Sequence, residues 1–436
     1  MLSLGRNDIL QSSVCLGSRD KNSQVKELIS KGAVVVMLGT GGVGKTTVAA
    51  ALGLAAARAG LNTLLITVDP ARRLREALGL ERLSAQPLQL DRRRLRAAGL
   101  DSTIRLSVMM LDVKRTWDSL VQELVKSPEA RRRILENPFY RSLSEQFAGA
   151  EAYAALEQLN ELHGSGQFDI QIVDTPPAAH AFEFFDAPQH FVRLLDSPAA
   201  RWLFMPKSAL SNNALKVASR ASRFVVSQLE SFTGTRTLSA LTEFFAIAAE
   251  ASVALKERMQ TAEAMMHSPR VNFVLVTTPR EDRLHQALRL AAVTQEHRFS
   301  LRTIVLNRVL DGRTFDALLR ARRRPPVYLA EITQLRRGLG EHDSRLDALV
   351  SYLEHYRESQ IFEVERAARF AHELPQHVSL AIAPAFEAGV RDLRALATIS
   401  SILVDSKHGR KFLDHVAEVL GIAAVLDNTP IRSSLS

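Results

Sequence analysis

The sequence predicts an α/β fold in which helices cover both faces of a mostly parallel sheet. Short apolar runs rich in β-branched residues alternate along the chain with Ala- and Leu-rich stretches, as in domains built from parallel strands and crossover helices. The first run leads directly into a glycine-rich segment, and most later runs end at a polar residue or a proline. Ligands of such sheets lie outside the carboxyl ends of the strands, so we expect a binding site there.

The glycine-rich segment is the most specific motif in the chain. Residues Gly39–Thr46 match the phosphate-binding pattern G-x-x-x-x-G-K-[ST]. The apolar run 33–38 before it is typical of a buried strand, and residues 47–59 after it are typical of a helix that Gly60 ends. A glycine-rich turn without a ligand is the alternative, but the order of strand, loop and helix favours phosphate binding. The predicted class is a three-layer P-loop NTPase with a helical insertion or subdomain.

Six further apolar runs predict the other strands of the sheet. They are residues 63–68, 104–111, 170–173, 271–276, 303–306 and 378–382. Residues 187–267 and 313–373 are mostly helical in pattern and interrupt the alternation, and we interpret the first as an insertion. The predicted organisation is an N-terminal extension (1–30), one P-loop domain (31–400) and a C-terminal helix and tail (401–436).

The composition is that of an ordinary globular protein, with 436 residues, 46% of them hydrophobic and 24% charged. The net charge of +9 comes from 56 Lys+Arg against 47 Asp+Glu, and arginines cluster at 92–94, 131–133 and 322–324. A nucleic-acid or membrane-surface role is one interpretation of these clusters. Because they are scattered and aromatic residues amount to only 6%, solvated helix faces are favoured, and we expect no nucleic-acid partner.

The single cysteine, Cys15, excludes an intrachain disulfide and a C-x-x-C site. Charged residues interrupt the first twenty positions, so no signal peptide is expected. No apolar run reaches the roughly 18 residues typical of a transmembrane helix, so no transmembrane segment is expected either. These features together favour a cytoplasmic protein.

Two aspartates stand at the ends of predicted strands. Asp69 follows the strand 63–68, and Asp174 follows the strand 170–173. A carboxylate at such a strand end can hold Mg²⁺ or orient the water that attacks a γ-phosphate. Helix capping by Asp69 and a turn at Asp174 are the alternatives, but the phosphate loop in the same chain favours the functional interpretation.

Four motifs in order resemble the arsenite-pump ATPase (ArsA) family, which includes the ATPase that targets tail-anchored proteins. They are GTGGVGKTT at residue 39, VDPARRL at 68, VDTPPAAHAFEFFDAP at 173 and LNRV at 306. The resemblance covers roughly residues 31–400 and is loosest in the middle helices. It implies a deviant P-loop fold, ATP and Mg²⁺ as ligands, and ATP hydrolysis.

The resemblance also implies a role for individual residues. Its phosphate loop corresponds here to Gly41, Gly42, Val43, Gly44, Lys45, Thr46 and Thr47. Lys45 and Asp69 are the implied catalytic residues, with Asp69 activating the attacking water. Thr46, Asp69 and Asp174 are the implied Mg²⁺ site.

Two later residues are the implied base-binding group. Asn307 corresponds to the asparagine that reads adenine, so a preference for adenine over guanine is expected. Pro384 lies in the segment 383–387, which resembles the loop that closes over adenine; an ordinary turn is the alternative. His180 falls in the second switch, where a structural histidine is the alternative.

The departures from the family pattern concern assembly and arsenite. Thr40 replaces the lysine that reaches the partner subunit's nucleotide, and the cysteines of the metalloid site and of the zinc clamp are absent. Family members work as paired ATPase units, and this chain has one. We therefore expect a weak, ATP-dependent homodimer and no stimulation by arsenite.

Three functional hypotheses follow from the motifs. The first is a Mg²⁺-dependent ATPase whose hydrolysis cycle switches its shape. The second is an ATP-gated factor in which residues 187–267 form a groove for apolar helices or membrane-protein clients, with methionines on its surface; methionines in the core are the alternative. The third and weakest is an arsenite pump subunit. The client, if there is one, is not identified by the sequence.

Overall fold

The computed structural model describes most of residues 31–400. The described residues are 28–68, 72–146, 150–175, 243–245, 247–248, 251–310, 315–316, 344–375, 377–386, 389–390, 392–404, 413 and 416–418. Asp69, Pro70, His180 and most of the segment 187–267 therefore lie outside the described residues. No helix within the described ranges is long and apolar enough to cross a membrane.

Eight strands form one sheet in the described part of the chain. They are β1 (Ala33–Leu38), β2 (Thr63–Thr67), β3 (Leu88–Gln89), β4 (Leu106–Met110), β5 (Ile170–Asp174), β6 (Val271–Thr277), β7 (Leu301–Val309) and β8 (Ser379–Pro384). Their order is β3-β4-β2-β5-β1-β6-β7-β8, and only the pair β3–β4 is antiparallel. The sheet grows from β1 towards β5 and β2 on one side and towards β6 to β8 on the other. This reversal beside β1 is where a parallel sheet opens a crevice for a ligand.

Helices cover both faces of the sheet. They are α1 (Lys45–Arg58), α2 (Arg72–Leu78), α3 (Arg92–Ala97), α4 (Val113–Leu124), α5 (Pro128–Glu136), α6 (Pro138–Gln146), α7 (Ala150–Gly164), α8 (residues 251–266), α9 (Glu281–Glu296), α10 (Ser344–Glu373) and α11 (Leu393–Val404). Val35 and Met37 of β1 pack with α1, α2, α3 and α11, whereas Val34 and Val36 pack with α4, α7, α9 and α10. Successive residues of a strand point to opposite faces, so β1 contributes to both cores of a three-layer α/β molecule.

The predicted strands are all present, and the mostly parallel sheet is confirmed. The largest difference in bounds is at β7, which runs over Leu301–Val309 where residues 303–306 were expected. Helix α1 begins at Lys45, two residues earlier than predicted, and Gly60 follows its end with a φ of +92°. β3 was not predicted, because two exposed residues on a sheet edge give no periodic pattern.

Two long segments are described only in part. Within 187–267, residues 243–245, 247–248 and 251–266 are helical, and within 313–373, residues 315–316 and 344–373 are helical. Met259 and Met266 of α8 are buried in the core, at 0% and 2% exposure. These two methionines are therefore packing residues and not part of an exposed groove.

Candidate nucleotide-binding site

The loop after β1 has the backbone of an anion cradle. Gly42 and Gly44 have φ of +79° and +94°, values that favour glycine. A Cβ at Gly39 would lie 2.4 Å from the Val276 carbonyl oxygen, so neighbouring strand β6 leaves no room for a side chain. Gly44 is the N-cap of α1, and no side chain caps the helix there. The N–H groups at the start of α1 therefore face a site that an anion would complete.

Lys45 is folded over this loop. The side chain is 7% exposed, and its Nζ donates to the Gly39 carbonyl at 2.9 Å and to the Thr40 carbonyl at 3.4 Å. A buried ammonium loses the compensation of water, and phosphate oxygens would compensate its charge better than neutral carbonyls do. It is thus poised to exchange these carbonyls for phosphate oxygens.

Thr46 and Asp174 meet where α1 begins and β5 ends. The Thr46 hydroxyl donates to Asp174 Oδ2 at 2.6 Å, and the hydroxyl of Thr67, at the end of β2, donates to the same oxygen at 3.3 Å. Asp174 is 2% exposed. A hydroxyl and a carboxylate oxygen are ligands that suit Mg²⁺, which usually keeps several waters. In the described ranges no group of three or more His, Cys, Asp or Glu comes together.

Asn307 joins the end of β7 to the phosphate loop. Its Nδ2 donates to the Val43 carbonyl at 2.8 Å, and its Oδ1 accepts from the Arg308 N–H at 3.0 Å. A Cβ on Gly44 would lie 2.2 Å from Asn307 Nδ2, which explains the glycine there. The amide keeps a second N–H and a second lone pair for another partner. The sequence indicated a base contact for Asn307 and gave no sign of this bond to the loop.

Two threonines near the carboxyl ends of β1 and β6, Thr40 and Thr278, have buried hydroxyl groups without a hydrogen-bond partner among the described residues. Thr278 follows β6 directly and was not predicted as a site residue, although its place at a strand end was visible in the sequence. Buried polar atoms without partners are rare, and at this edge they suit a polar ligand. Pro384 ends β8 and pairs with Val309 at the same edge.

The predicted site residues are thus brought together as far as they are described. Residues 41–47, Asp174, Asn307 and Pro384 all lie along the carboxyl edge of the sheet. Asp69 is outside the described residues, but the N–H of its neighbour Val68 donates to the Asp174 carbonyl at 3.2 Å. His180 is also outside them, and its role stays a prediction.

A second feature is an apolar cavity of about 90 Å³ among α4, α5, α6 and residues 244–255. Its lining includes Trp117, Leu120, Phe139, Phe244 and Phe245. The rings of Phe139 and Phe244 meet edge to face, with centroids 5.2 Å apart. The cavity is therefore an aromatic pocket on the face of the sheet that α4 and α7 cover.

An ion-pair cluster that the sequence did not indicate joins α4 to α7 and α8. Arg258 of α8 pairs with Glu123 of α4, and its Nε lies 3.0 Å from Glu157 Oε1 of α7. The Tyr153 hydroxyl donates to Glu157 Oε2 at 3.1 Å. Burial raises the pKa of the Glu157 carboxyl, although Arg258 and Tyr153 both act to lower it. Arg258 thus connects three helices around a buried carboxyl group.

Comparisons with known proteins agree with the geometry. The family model for anion-transporting ATPases (ArsA_ATPase) matches residues 33–336. The ATPase ARSA1 of Chlamydomonas reinhardtii is 25% identical over 303 residues, which are 65% of this chain and 36% of that protein. The ATPase GET3 of Malassezia globosa is 29% identical over 34% of this chain and 40% of its own length. The arsenical pump-driving ATPase of Escherichia coli is 30% identical over 36% and 23%. The chain spans well under two thirds of the length of these relatives.

Proposed function

Because the chain belongs to the anion-transporting ATPase family, we propose that it binds Mg²⁺-ATP at the phosphate loop and hydrolyses it to ADP and phosphate. The observation that carries the proposal is the 2.6 Å contact between the Thr46 hydroxyl and Asp174, at the mouth of a glycine-rich loop. A hydrolysis cycle that changes the shape of the molecule is part of the proposal.

The phosphate loop supplies binding and charge. The N–H groups of residues 41–47 would receive the phosphate oxygens, and Lys45 would exchange the Gly39 carbonyl for the β- and γ-phosphates. Thr46 and Asp174, with Asp69, would hold the metal. A bound Mg²⁺ ion neutralises charge on the phosphate oxygens.

Asp69 would orient the attacking water. The backbone N–H of its neighbour Val68 donates a hydrogen bond to the Asp174 carbonyl. The segment that contains Asp69 therefore starts beside Thr46 and Asp174, the proposed metal ligands. The water oxygen attacks the γ-phosphorus in line while the bond to the bridging oxygen breaks, and the released charge remains on ADP under Lys45 and the loop N–H groups.

The base would lie on the β7 and β8 side of the loop. Thr46 and Asp174 occupy the β5 side of β1, while Asn307 and Pro384 lie on the other side. The second N–H and lone pair of Asn307 suit the donor and acceptor of an adenine edge. We therefore propose that ATP competes more strongly than GTP, and a competition assay with both nucleotides measures it.

Calorimetry on purified variants tests the proposal. Lys45→Ala should abolish measurable Mg²⁺-ATP binding, whereas Lys31→Ala, with a side chain 81% exposed at the opposite edge of the sheet, should leave it unchanged. Asp69→Asn should keep binding and lower turnover by about a hundredfold or more, the scale of lost acid–base assistance. Normal binding and turnover in Lys45→Ala would falsify the assignment.

A second candidate function is an ATP-gated factor for apolar helices or membrane-protein clients. The aromatic pocket among α4, α5 and α6 favours it, because such pockets receive apolar side chains. A hydrophobic 20-residue peptide should quench or shift the fluorescence of Trp117, which lines the pocket. Phe244→Asp should remove the response, while Phe362→Asp, on an exposed helix surface, should not. Equal responses in both variants would remove this candidate.

The proposed setting is cytoplasmic, since one cysteine in 436 residues suits a reducing compartment. Arsenite should not stimulate turnover, because soft trivalent arsenic needs several thiolates. A saturable activation by arsenite in a steady-state assay contradicts this.

A further inference from the structure

Much of the net positive charge of the chain is concentrated in one stretch. Residues 72–105 contain nine arginines, no lysine and four acidic residues, whereas the whole chain has a net charge of +9. These residues run from α2, the first helix after Asp69, through α3 to the start of β4. More than half of the net charge therefore lies in one short stretch.

Three nearby carboxylates, those of Asp91, Asp101 and Asp392, accept hydrogen bonds from backbone N–H groups and form no ion pair with a described residue. Asp91 Oδ1 accepts from the Arg93 N–H at 2.8 Å and caps α3. Asp101 Oδ1 accepts from the Thr103 N–H at 2.8 Å, and Asp392 Oδ1 from the Ala395 N–H at 2.8 Å before α11. A carboxylate held as a cap is positioned for N–H groups and not for a guanidinium.

The arginines that do form hydrogen bonds use carbonyl oxygens, which carry no full charge. Arg75 donates to the Glu81 carbonyl at 3.1 Å, and Arg394 to the Ala97 carbonyl at 2.8 Å. Arg92, Arg93 and Arg96 of α3 are exposed and form no ion pair with a described residue. We call these three residues the arginine surface.

Part of the charge on helix α3 is at an electrostatic disadvantage. Arg92 and Arg93 occupy its first turn, where the positive end of the helix dipole disfavours cations, whereas Arg94 and Arg96 stand in its last turn. Arg92 and Arg96 are four residues apart, a spacing at which like charges repel. The helix is nevertheless firmly held, since Leu95 is 0% exposed in the core with α1 and α2. A rigid helix that breaks local charge rules without an internal counter-charge points to a function outside folding.

We propose that the arginine surface docks an acidic segment of a partner protein. Guanidinium groups bind carboxylates through two parallel N–H···O bonds, and interfaces between proteins are enriched in arginine and depleted in lysine. The exposed acids Glu76, Glu81, Asp91 and Asp101 lie between the arginines and would repel a uniformly charged polyanion or anionic membrane. A protein segment can instead place single carboxylates opposite single arginines. This inference goes beyond ATP hydrolysis and does not depend on it.

The test uses the full chain and a fluorescein-labelled 16-residue peptide of alternating Glu and Ser. The wild type should bind it in low salt, and the triple variant Arg92→Glu/Arg93→Glu/Arg96→Glu should bind at least about tenfold more weakly, as expected for three lost ion pairs. The matched control is Arg270→Glu/Arg289→Glu/Arg302→Glu, three exposed arginines elsewhere with the same change in net charge. The control should bind as the wild type does.

Further variants separate geometry from charge and folding. Arg92→Lys/Arg93→Lys/Arg96→Lys keeps the charge but loses the planar fork, and should weaken binding several-fold. The Glu triple should melt no lower than the wild type, because it relieves repulsion; if it fails to fold, the corresponding Gln triple replaces it. ATP binding should persist in all of them, so a failure here is distinct from a failure of the proposed function.

Three outcomes overturn the inference. The first is no binding of the peptide by the wild type. The second is an equal loss in both Glu triples, which would reflect net charge alone. The third is tighter binding of a 20-base-pair DNA duplex or of phosphatidylglycerol vesicles than of the peptide, lost in the arginine-surface triple, which would identify a different class of partner.

Discussion

The absence of a side chain at Gly44 leaves the space that Asn307 occupies in the site. Gly44 ends the phosphate loop with a φ of +94°, and Asn307 fills the space that a side chain on Gly44 would need. The same Asn307 amide bonds the Val43 carbonyl. The conformation of the phosphate loop therefore depends on its hydrogen bond to Asn307 of β7 as well as on its own glycines.

This arrangement gives a prediction for Gly44→Ala. The variant should lose ATP binding and unfold more easily, because its Cβ would clash with Asn307 Nδ2 and its backbone would be strained by roughly 1–3 kcal/mol. Gly42→Ala is the matched control: its φ is +79°, but a Cβ there meets nothing within 4 Å. It should show the backbone penalty alone. Urea unfolding and calorimetry measure both, and indistinguishable variants would rule out the steric role of Asn307.

Asp169 gives a prediction about pH. It accepts from the Asn62 N–H at 2.9 Å and pairs with Lys31 at 3.2 Å, and these two contacts, the backbone one first, lower the pKa of its carboxyl. A lowered pKa in the folded state adds stability above the ordinary pKa, and that stability is lost as the pH falls through the folded value. Asp169→Asn should therefore be less stable than the wild type near pH 7, and the difference should shrink as the pH falls below the ordinary carboxyl pKa and through the lowered pKa of Asp169. A difference that does not change with pH contradicts the ionic role.

Helices α4, α7 and α8 are connected by Arg258 as well as by apolar packing. The Glu157 side chain is 4% exposed, so its carboxylate depends on Arg258 for compensation. The aromatic pocket borders the same α4 surface, since Leu120 and Trp117 line it. The ion pair thus fixes the relative positions of helices on which the second candidate function would depend.

Removing Arg258 should test this connection. Arg258→Ala should lower the free energy of unfolding by about 3 kcal/mol near pH 7, because it leaves a buried carboxylate without a cation. The loss should shrink as the pH falls, since protonated Glu157 needs no counter-ion; a raised folded pKa favours folding below it and disfavours folding above it. Arg369→Ala, which removes an exposed pair with Glu365, should cost under about 1 kcal/mol. Equal losses in the two variants would contradict the role of burial.

The assembled molecule has a nucleotide edge without the usual charged link to a partner. Thr40 stands where the family resemblance leads us to expect a lysine, and its hydroxyl is buried without a hydrogen bond in the described part of the chain. A hydroxyl cannot place a positive charge on a neighbouring subunit. Pairing of two chains would therefore depend on nucleotide and on other surfaces.

We predict a weak homodimer that forms with ATP and is mostly monomeric without it. ATP strengthens pairing only as far as it binds the dimer better than the monomer. Light scattering with and without a non-hydrolysable ATP analogue measures this, and Lys45→Ala should abolish the difference. Thr40→Lys should strengthen the ATP-dependent dimer. A dimer of equal stability in both states would show that other surfaces hold the pair.

The sequence alone determined the parts of this protein that depend on short-range patterns. The spacing of the glycines predicted the phosphate loop, and the apolar runs predicted seven of the eight strands. Both signals can be read from the sequence because runs of apolar residues and turn residues determine local structure over only a few positions. The sequence also predicted that Thr46 and Asp174 lie at one edge of the sheet, because one stands at the start of a helix and the other at the carboxyl end of a strand, and their side chains do meet there at 2.6 Å. The two-residue β3 has too few positions to form a pattern.

The tertiary structure decided which distant residues touch. Asn307 meets Val43 across 264 positions, and Arg258 reaches Glu123 across 135, although neither residue belongs to a pattern shared with its partner. It also decided that Asp91 and Asp101 accept from backbone N–H groups, while Arg92, Arg93 and Arg96 lie exposed without an ion pair to a described residue. Such contacts depend on the order of strands in the sheet and on helix packing. Local periodicity specifies each element and its buried face, but the free energy that selects one neighbour over another arises only when the elements pack together.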